Sequence, residues 1–175
     1  LYVDANGGYT RKQAIRVADA AADCDVRWFE EPVSSDDLAG LHEVREHVAA
    51  DVAAGEYGYD LGYFARMVQA GAVDCLQADL SRCGGITEWQ RVAAVAAANN
   101  LQISGHCAPH LHLDVAAAIA NLRHLEWFHD HVRIADMLFD GVARPQPGGV
   151  LVPDLSRPGH GLEFRGEAAS AYRIG

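Results

Sequence analysis

The feature that most constrains the fold is a repeated unit in which a short apolar run precedes a longer segment of helical period. The first unit joins LYVDA to TRKQAIRVADAAAD, in which Thr10 is a plausible N-cap and apolar residues recur at helical spacing. Five further runs continue the pattern, namely VRWFEEP, DVAAGE, VDCLQAD, LQISGH and RHLEWF. The pattern predicts six strands joined by five helical crossovers.

Strands joined through helices are expected to be parallel, because a parallel pair needs a crossover of about a dozen residues or more. Their apolar composition indicates a sheet buried on both faces, either a doubly wound open sheet or a (β/α)8 barrel. Each run ends in an acid or a histidine, and the six are Asp4, Glu30, Glu56, Asp79, His106 and Glu126. Single acids after strands are often only helix caps, but the carboxyl ends of all barrel strands meet at one mouth. The recurrence therefore favours an α/β barrel with these side chains in one pocket.

Composition limits the classes of function. The 175 residues are 50% hydrophobic and 22% charged with a net charge of -10, and no run of Lys or Arg would suit a phosphate backbone or an anionic membrane. We therefore expect a soluble globular domain that binds neither nucleic acid nor membrane. The four cysteines form no CxxC pair, and no long apolar stretch or basic leader is visible, so we expect a cytoplasmic protein with reduced thiols.

The six strand-end side chains divide into groups of different chemistry. Asp4, Glu30 and Glu56 are carboxylates on successive strands, the hard oxygen donors that Mg2+ prefers. Asp79 and His106 follow, and a carboxylate beside an imidazole orients it and makes it a stronger base. The last acid, on the sixth strand, could donate a hydrogen bond to a developing oxyanion if it is protonated. Metal, base and acid together suit removal of a proton α to a carboxylate.

Six motifs occupy the predicted strands and their ends: VDAN (3–6), WFEEP (28–32), AAGE (53–56), LQADLSRCGGITEW (76–89), ISGH (103–106) and HLEWF (124–128). They resemble the successive barrel-strand motifs of the mandelate racemase-like subgroup of the enolase superfamily, whose sites combine a Lys or His base with Mg2+. The resemblance implies a TIM-type (β/α)7β barrel with the enediolate held by Mg2+. Residues 1–140 would supply strands three to eight, and residues 141–175 a segment returning towards a capping domain.

Position by position, the resemblance implies Asp4, Glu30 and Glu56 as Mg2+ ligands, Asp79 and His106 as the His-Asp dyad, and Glu126 as the electrophilic acid. Asn6 would lie near the substrate, and Arg82 could reach a substrate carboxylate or form a simple ion pair. The implied function is dehydration of an acid sugar, in a protein that we expect to be a homo-oligomer. A racemase or epimerase and a non-catalytic metal-binding barrel are the alternatives, whereas a class II aldolase or amidohydrolase barrel would need mainly histidine ligands.

The chain departs from the family pattern at its start. The family has a capping domain and early barrel strands, one of which usually carries a KxK-type motif, and none of this precedes Leu1. The single lysine, Lys12, lies in a predicted helix and cannot replace that motif. We therefore expect the chain to be part of a longer protein, in which upstream residues decide whether a second base exists.

Two acids stand side by side in RWFEEPV. Because side chains alternate along a strand, Glu30 is expected to point into the mouth and Glu31 away from it, towards the helix layer or the following loop. Glu31 would then be a structural hydrogen-bond or ion-pair partner. Among the remaining polar residues, His110 and His112 are expected to be structural or substrate contacts.

Two other motifs are given structural interpretations. The glycines of RCGG lack the Lys-Ser/Thr of a phosphate loop and are expected to turn the chain into the next helix. The segment FHDHVR follows the last predicted strand, and we expect its His129 and His131 to be loop residues around Asp130.

Overall fold

The computed structural model describes residues 1–174, and its main element is a parallel sheet of six strands. The strands are β1 (Tyr2–Asp4), β2 (Trp28–Glu30), β3 (Asp51–Ala54), β4 (Cys75–Ala78), β5 (Gln102–Gly105) and β6 (Leu122–Leu125), and they lie in this order across the sheet. Each neighbouring pair is parallel. A doubly wound sheet reverses its strand order at a switch point, and this sheet does not. The predicted partial barrel is therefore confirmed.

Helices connect the strands as the sequence pattern predicts. They are α1 (Arg11–Ala20), α2 (Leu38–His47), α3 (Leu61–Gln69), α4 (Ile86–Ala98) and α5 (Pro109–Ala117), with a short 3-10 helix at Ala22–Cys24. Thr10 is the N-cap of α1, and its backbone N–H donates to the side chain of Gln13 at 3.0 Å. Asp37 caps α2 by accepting from the Gly40 N–H. Local capping chemistry thus marks where α1 and α2 begin.

Alternate residues of each strand face opposite sides of the sheet, and an apolar cluster lies on each side. Its outer face packs against the helices, and the buried residues there include Phe29, Val52, Leu76, Ile103 and Trp89. Its inner face carries a smaller cluster of Trp28, Ala53 and Cys75. Glu30 and Asp79 have the same strand parity as Trp28 and Cys75 and therefore share the inner side with them.

An irregularity in β6 places two consecutive side chains on the inner face. The register between β5 and β6 shifts between Ile103 and Gly105. Leu122 and Leu125 both pack against the outer core, while Arg123 forms an ion pair with Asp51 at 2.6 Å. The neighbouring residue, His124, stacks edge-on against Trp28 at 4.7 Å between ring centroids. A bulge of this kind re-aims side chains without ending the strand.

The chain after β6 contains structure that the sequence pattern did not predict. A further helix, α6 (His129–Leu138), leads into β7 (Phe139–Asp140), which pairs antiparallel with β8 (Glu163–Phe164) before a short α7 (Gly166–Ser170). The prediction that His129 and His131 are loop residues is therefore wrong, because both lie in the first turn of α6. Across residues 1–174, no helix is both long and apolar enough to cross a membrane.

Candidate active site

Three carboxylates meet at the carboxyl ends of β1, β2 and β3. Asp4 and Glu30 are the last residues of adjacent strands and lie directly opposite each other in the register. Glu56 comes from the loop just after β3. One oxygen from each of the three lies within 4.8 Å of the others. The structure thus brings together the three residues predicted as Mg2+ ligands.

Gly55 allows Glu56 to join this cluster. Its φ of 138° lies in a region that side-chain-bearing residues rarely adopt, and a Cβ atom there would stand 2.5 Å from the Gln77 carbonyl oxygen. The backbone of the AAGE motif consequently passes close to β4 and turns the next residue towards the mouth.

The electrostatics of the cluster suit a divalent cation. Burial raises the pKa of Glu30 well above its ordinary value, and the nearby Asp4 carboxylate raises it further. The pKa of Asp4 is also raised, first by partial burial and then by Glu56 and Glu126, against the opposing effect of the Asn6 backbone N–H. Bringing three carboxylates together is unfavourable without a positive charge. A group of oxygen donors of this kind suits Mg2+.

Both oxygens of Glu30 are held by donors from the inner face of the sheet. The indole N–H of Trp28 donates to Oε2 at 2.9 Å, and the amide of Gln77 donates to Oε1 at 2.5 Å. The Gln77 amide is oriented in turn by the Ser104 hydroxyl, which donates to its Oε1 at 3.3 Å. Such outer partners fix the direction of a metal-ligating carboxylate.

His106 and Asp79 form a hydrogen-bonded pair next to the carboxylates. His106 Nδ1 lies 2.8 Å from Asp79 Oδ2. Burial alone would raise the pKa of Asp79, but hydrogen bonds from His106 and Ser81 outweigh it and lower the value to about 2. An ionised carboxylate can only accept, so Nδ1 carries the proton and Nε2 is the free basic atom.

The surroundings of His106 favour its charged form. Burial lowers its pKa, but the Asp79 hydrogen bond and the Glu56 and Glu126 carboxylates outweigh burial, so the pKa is raised overall. Nε2 faces Glu56 Oε2 at 3.3 Å and Glu126 Oε2 at 3.9 Å. The free imidazole nitrogen thus points into the space that the predicted acid and metal ligands also border.

Glu126 follows β6 and is tied to the loop after His106. Its Oε2 accepts from the Cys107 backbone N–H at 2.7 Å. A cavity of about 410 Å3 lies against this acid, and Asp4, Glu30, Gln77 and Trp127 also line it. This volume falls within the range of small-molecule sites.

The two predicted substrate contacts have partners within the site. Asn6 donates through its backbone N–H to Asp4 Oδ1 at 2.8 Å and through its side-chain amide to Oδ2. Arg82 lies 3.5 Å from both Glu56 Oε1 and Asp79 Oδ2. The ion-pair interpretation of Arg82 is thus observed in this structure, and a substrate contact by either residue stays a prediction.

Glu31 does not follow the strand alternation. Its φ of 36° ends the extended backbone immediately after Glu30, and the residue is buried. Burial, followed by the charges of Glu56 and Asp4, raises its pKa to about 7. Among residues 1–174, no hydrogen bond or ion pair partner is found for its buried Oε1. The structural partner expected for Glu31 is therefore not found at this oxygen, and the charges that affect its pKa are those of the neighbouring site, Glu56 and Asp4.

His110 and His112 lie on α5 and are both buried. His112 Nε2 accepts from the Leu80 N–H at 2.9 Å, and its Nδ1 lies 3.1 Å from the Ala108 carbonyl oxygen. His112 therefore joins the loop after Asp79 to the loop after His106. Its contacts in this structure are structural, which is one of the two roles expected from the sequence.

Sequence reasoning missed the residues that position Glu30. Gln77 is a polar residue in the middle of a buried strand, two positions before Asp79, and strand parity could have placed it on the inner face. The indole hydrogen bond of Trp28 to Glu30 was not predicted, although both residues lie on the same face of β2. Cys107 follows His106 directly and was not predicted to belong to the site.

Comparison with known proteins places this site in a family. Residues 1–169 match the family described as enolase C-terminal domain-like. A 3,6-anhydro-alpha-L-galactonate cycloisomerase from Streptomyces coelicolor is 33% identical, over 100% of this chain and 47% of that protein. A D-galactarolactone cycloisomerase from Agrobacterium fabrum is 34% identical, over 99% of this chain and 49% of that protein. The chain thus spans about half the length of these curated relatives.

Solved structures show the same similarity. A mandelate racemase/muconate lactonizing enzyme-like protein from Rubrobacter xylanophilus is 45% identical with a TM-score of 0.92, covering 98% of this chain and 48% of that one. L-Talarate dehydratase from Polaromonas sp. JS666, complexed with Mg and L-glucarate, is 29% identical with a TM-score of 0.86, and the match covers 97% of this chain and 46% of that one.

Proposed function

The chain belongs to the enolase C-terminal domain-like family, and on this premise we propose that it supplies the base and the metal ligands of an enzyme that removes a proton α to a carboxylate. The reaction we favour is dehydration of an acid sugar. One observation carries the proposal: the His106-Asp79 pair directs Nε2 of the imidazole towards the three-carboxylate cluster, 3.3 Å from Glu56 Oε2. Neither the base nor the metal ligands alone would support it.

The pair supports His106 as the proposed base. Asp79, with its pKa lowered to about 2, stays ionised at neutral pH and holds the Nδ1 proton, so that Nε2 presents its lone pair. After accepting the α-proton, the imidazolium is stabilised by the same carboxylate. In a dehydration it can then deliver a proton to the departing β-hydroxyl, which leaves as water.

Asp4, Glu30 and Glu56 would hold the Mg2+. When bound, the ion supplies positive charge that stabilises the negative charge developing on the substrate carboxylate. Glu30 is kept in position by Trp28 and Gln77, so its carboxylate does not have to reorganise during the reaction.

Glu126 is proposed as the acid opposite the metal ligands. It is anchored through the Cys107 N–H and borders the 410 Å3 cavity together with Asp4 and Glu30. A carboxylic acid in this position would donate a hydrogen bond to the second oxygen of the substrate carboxylate. Asn6, which is bonded to Asp4, and Arg82, which lies 3.5 Å from Glu56 and Asp79, are proposed to contact the sugar acid.

A cycloisomerase is a second candidate, because two relatives bear that name at 33% and 34% identity. The same base and cation would serve if the leaving oxygen stayed attached to the substrate as part of a ring. A dehydratase releases water and a cycloisomerase does not, so the product mass distinguishes the two.

The test of the base is hydrogen exchange. The full-length protein is incubated with Mg2+ in deuterated water against a library of acid sugars and sugar lactones, and exchange at the α-carbon is followed by NMR. We expect exchange or turnover with the wild type and its loss in His106→Asn. Exchange that survives in His106→Asn would overturn the assignment of the base.

The adjacent acids provide a matched pair for the metal. Glu30→Gln should reduce Mg2+ affinity by at least about tenfold and abolish Mg2+-dependent activity. Glu31→Gln, one residue along and equally buried, should keep Mg2+ affinity within about threefold, since we place no ligand there. Calorimetric titration measures both variants, and unchanged Mg2+ affinity in Glu30→Gln would dispose of the metal assignment.

A further inference from the structure

His106, Cys107 and Glu126 form a second group of metal-ligating side chains beside the three carboxylates. An imidazole nitrogen, a thiol sulfur and a carboxylate oxygen from these residues lie within 4.8 Å of one another. We propose that this group, called the soft site below, binds a thiophilic divalent cation such as Zn2+, and that the bound ion blocks the base. The carboxylates of Asp4, Glu30 and Glu56 form an adjacent site of different chemistry, whose Glu56 Oε2 lies 3.3 Å from His106 Nε2.

The distances suit such an ion. With Zn–S near 2.3 Å and Zn–N near 2.0 to 2.1 Å, a tetrahedral site separates sulfur from nitrogen by about 3.5 Å. Cys107 Sγ lies 3.4 Å from His106 Nε2. Glu126 Oε2 lies 3.9 Å from the same nitrogen, so the carboxylate must close by about 0.5 Å to reach the tetrahedral spacing. Three protein ligands leave a fourth position for water or a substrate oxygen.

The three ligands are already constrained in the absence of an ion. The Asp79 hydrogen bond orients the imidazole so that Nε2 is the free atom. The Cys107 N–H is bound to Glu126, and the Cys107 backbone has a φ of 48°, which places a non-glycine residue in the left-handed region. Such conformations persist only where the surrounding structure holds them. Little further ordering is therefore needed to bind a cation.

Ligand softness separates the two sites. A thiolate and an imidazole select Zn2+ and similar ions, whereas three carboxylates suit Mg2+. Burial and the Glu126 carboxylate raise the pKa of the Cys107 thiol to about 12, so without an ion the thiol is protonated and a poor nucleophile. When sulfur binds the cation, the thiol releases its proton to solvent.

Binding at the soft site would inhibit the reaction, and this consequence rests on the proposed function. The cation would occupy Nε2, the atom that accepts the α-proton, and would engage Glu126 at the same time. Saturating Mg2+ should not relieve the inhibition, because Mg2+ binds poorly to sulfur. A chelator that removes zinc should restore the original rate.

The binding is tested without reference to any activity. The full-length protein is saturated with Mg2+ and titrated with Co2+, whose bond to a thiolate produces a charge-transfer band in the near ultraviolet. We expect the band in the wild type and in Cys24→Ser, whose thiol is exposed and lies outside the site. Cys107→Ser should lose the band, and His106→Gln should need at least tenfold more Co2+ to produce it.

Three outcomes would overturn the soft site. They are the absence of the band in the folded wild type, its persistence in Cys107→Ser, and identical titrations for His106→Gln and wild type. Circular dichroism of each variant verifies its fold. If one of the two ligand variants does not fold, the other still tests the site.

Inhibition provides the second test. With Mg2+ saturating, the Zn2+ concentration that halves the exchange rate should rise at least tenfold in Cys107→Ala, each rate being taken relative to that variant without zinc. Equal sensitivity of Cys107→Ala and wild type would place the inhibitory ion at the carboxylates and overturn the proposed inhibition. If the wild type has no α-exchange at all, the proposed function fails, and the Co2+ titration still decides the soft site.

Discussion

Replacing Gln77 with Leu should weaken Mg2+ binding without touching a metal ligand. Gln77 is 2% exposed, and its amide donates at 2.5 Å to one oxygen of Glu30, while Trp28 holds the other oxygen. Leu has a similar volume, so the substitution removes the donor and leaves little cavity. The Glu30 carboxylate then keeps one donor and is free to rotate about it.

Two estimates give the expected loss of Mg2+ binding free energy in Gln77→Leu. A hydrogen bond to a charged group contributes about 1.5 to 3 kcal/mol. Loss of an outer partner of a metal ligand typically reduces affinity by about 10- to 100-fold, which corresponds to about 1.4 to 2.7 kcal/mol. Without the donor, burial raises the pKa of Glu30 further, and a proton competes more strongly with the ion. The loss of affinity should therefore be greater at pH 6 than at pH 8.

Calorimetric titration of the full-length protein with Mg2+ measures the effect at both pH values. Ser104→Ala is the matched control, because it leaves the Gln77 amide donor in place and removes only neutral contacts, to the Gln77 amide oxygen at 3.3 Å and to the Leu76 carbonyl oxygen at 3.5 Å. It should cost less than about 1.5 kcal/mol. A folded Gln77→Leu protein whose Mg2+ affinity stays within twofold of wild type at both pH values would refute the reasoning.

Three further predictions concern stability. Arg123→Met removes the 2.6 Å ion pair with the half-exposed Asp51 and should lower the free energy of unfolding by about 1 kcal/mol in urea titration; a loss above about 3 kcal/mol would contradict this. Burial lowers the pKa of His112, so the unfolded chain takes up the proton first and stability falls as the pH drops below about 6.5. In His112→Gln the free energy of unfolding should fall less steeply between pH 6.5 and 5 than in the wild type. A curve parallel to that of the wild type would exclude His112 as the cause. Gly55→Ala should destabilise by about 2 kcal/mol or more and weaken Mg2+ binding through Glu56, and full stability would contradict the close approach at Gly55.

The order of strands and the convergence of their terminal residues could be predicted because both depend on local pattern. Apolar runs, helical periods and one polar residue per strand end are visible in the sequence, and parallel connections bring those ends together. Asp79 and His106 meet at 2.8 Å for this reason, although 27 positions separate them in the chain. Strand parity could also have placed Gln77 in the site, because it lies two positions before Asp79 on the same strand face.

Backbone conformations that break a pattern could not be predicted in the same way. Glu31 leaves the strand in a left-handed turn although it is not glycine. The bulge before Leu125 directs two adjacent residues to one face, against the expected alternation. In both cases tertiary contacts override the local preference, and a single sequence carries no periodic signal of that. Helix α6 was not predicted because its first turn, with His129, Asp130 and His131, is polar and follows the last strand directly, as a loop would.

The loop after His106 has a consequence for efforts to make the protein more heat-resistant. Cys107 and Ala108 are consecutive non-glycine residues with φ of 48° and 37°, and each such residue costs on the order of 1 kcal/mol or more. A glycine at either position would relieve this cost and raise the free energy of unfolding, so selection for thermostability alone would favour it. The same glycine would loosen the segment between the base and the start of α5. Screens that reward stability without turnover would therefore tend to accumulate changes here that erode the active site.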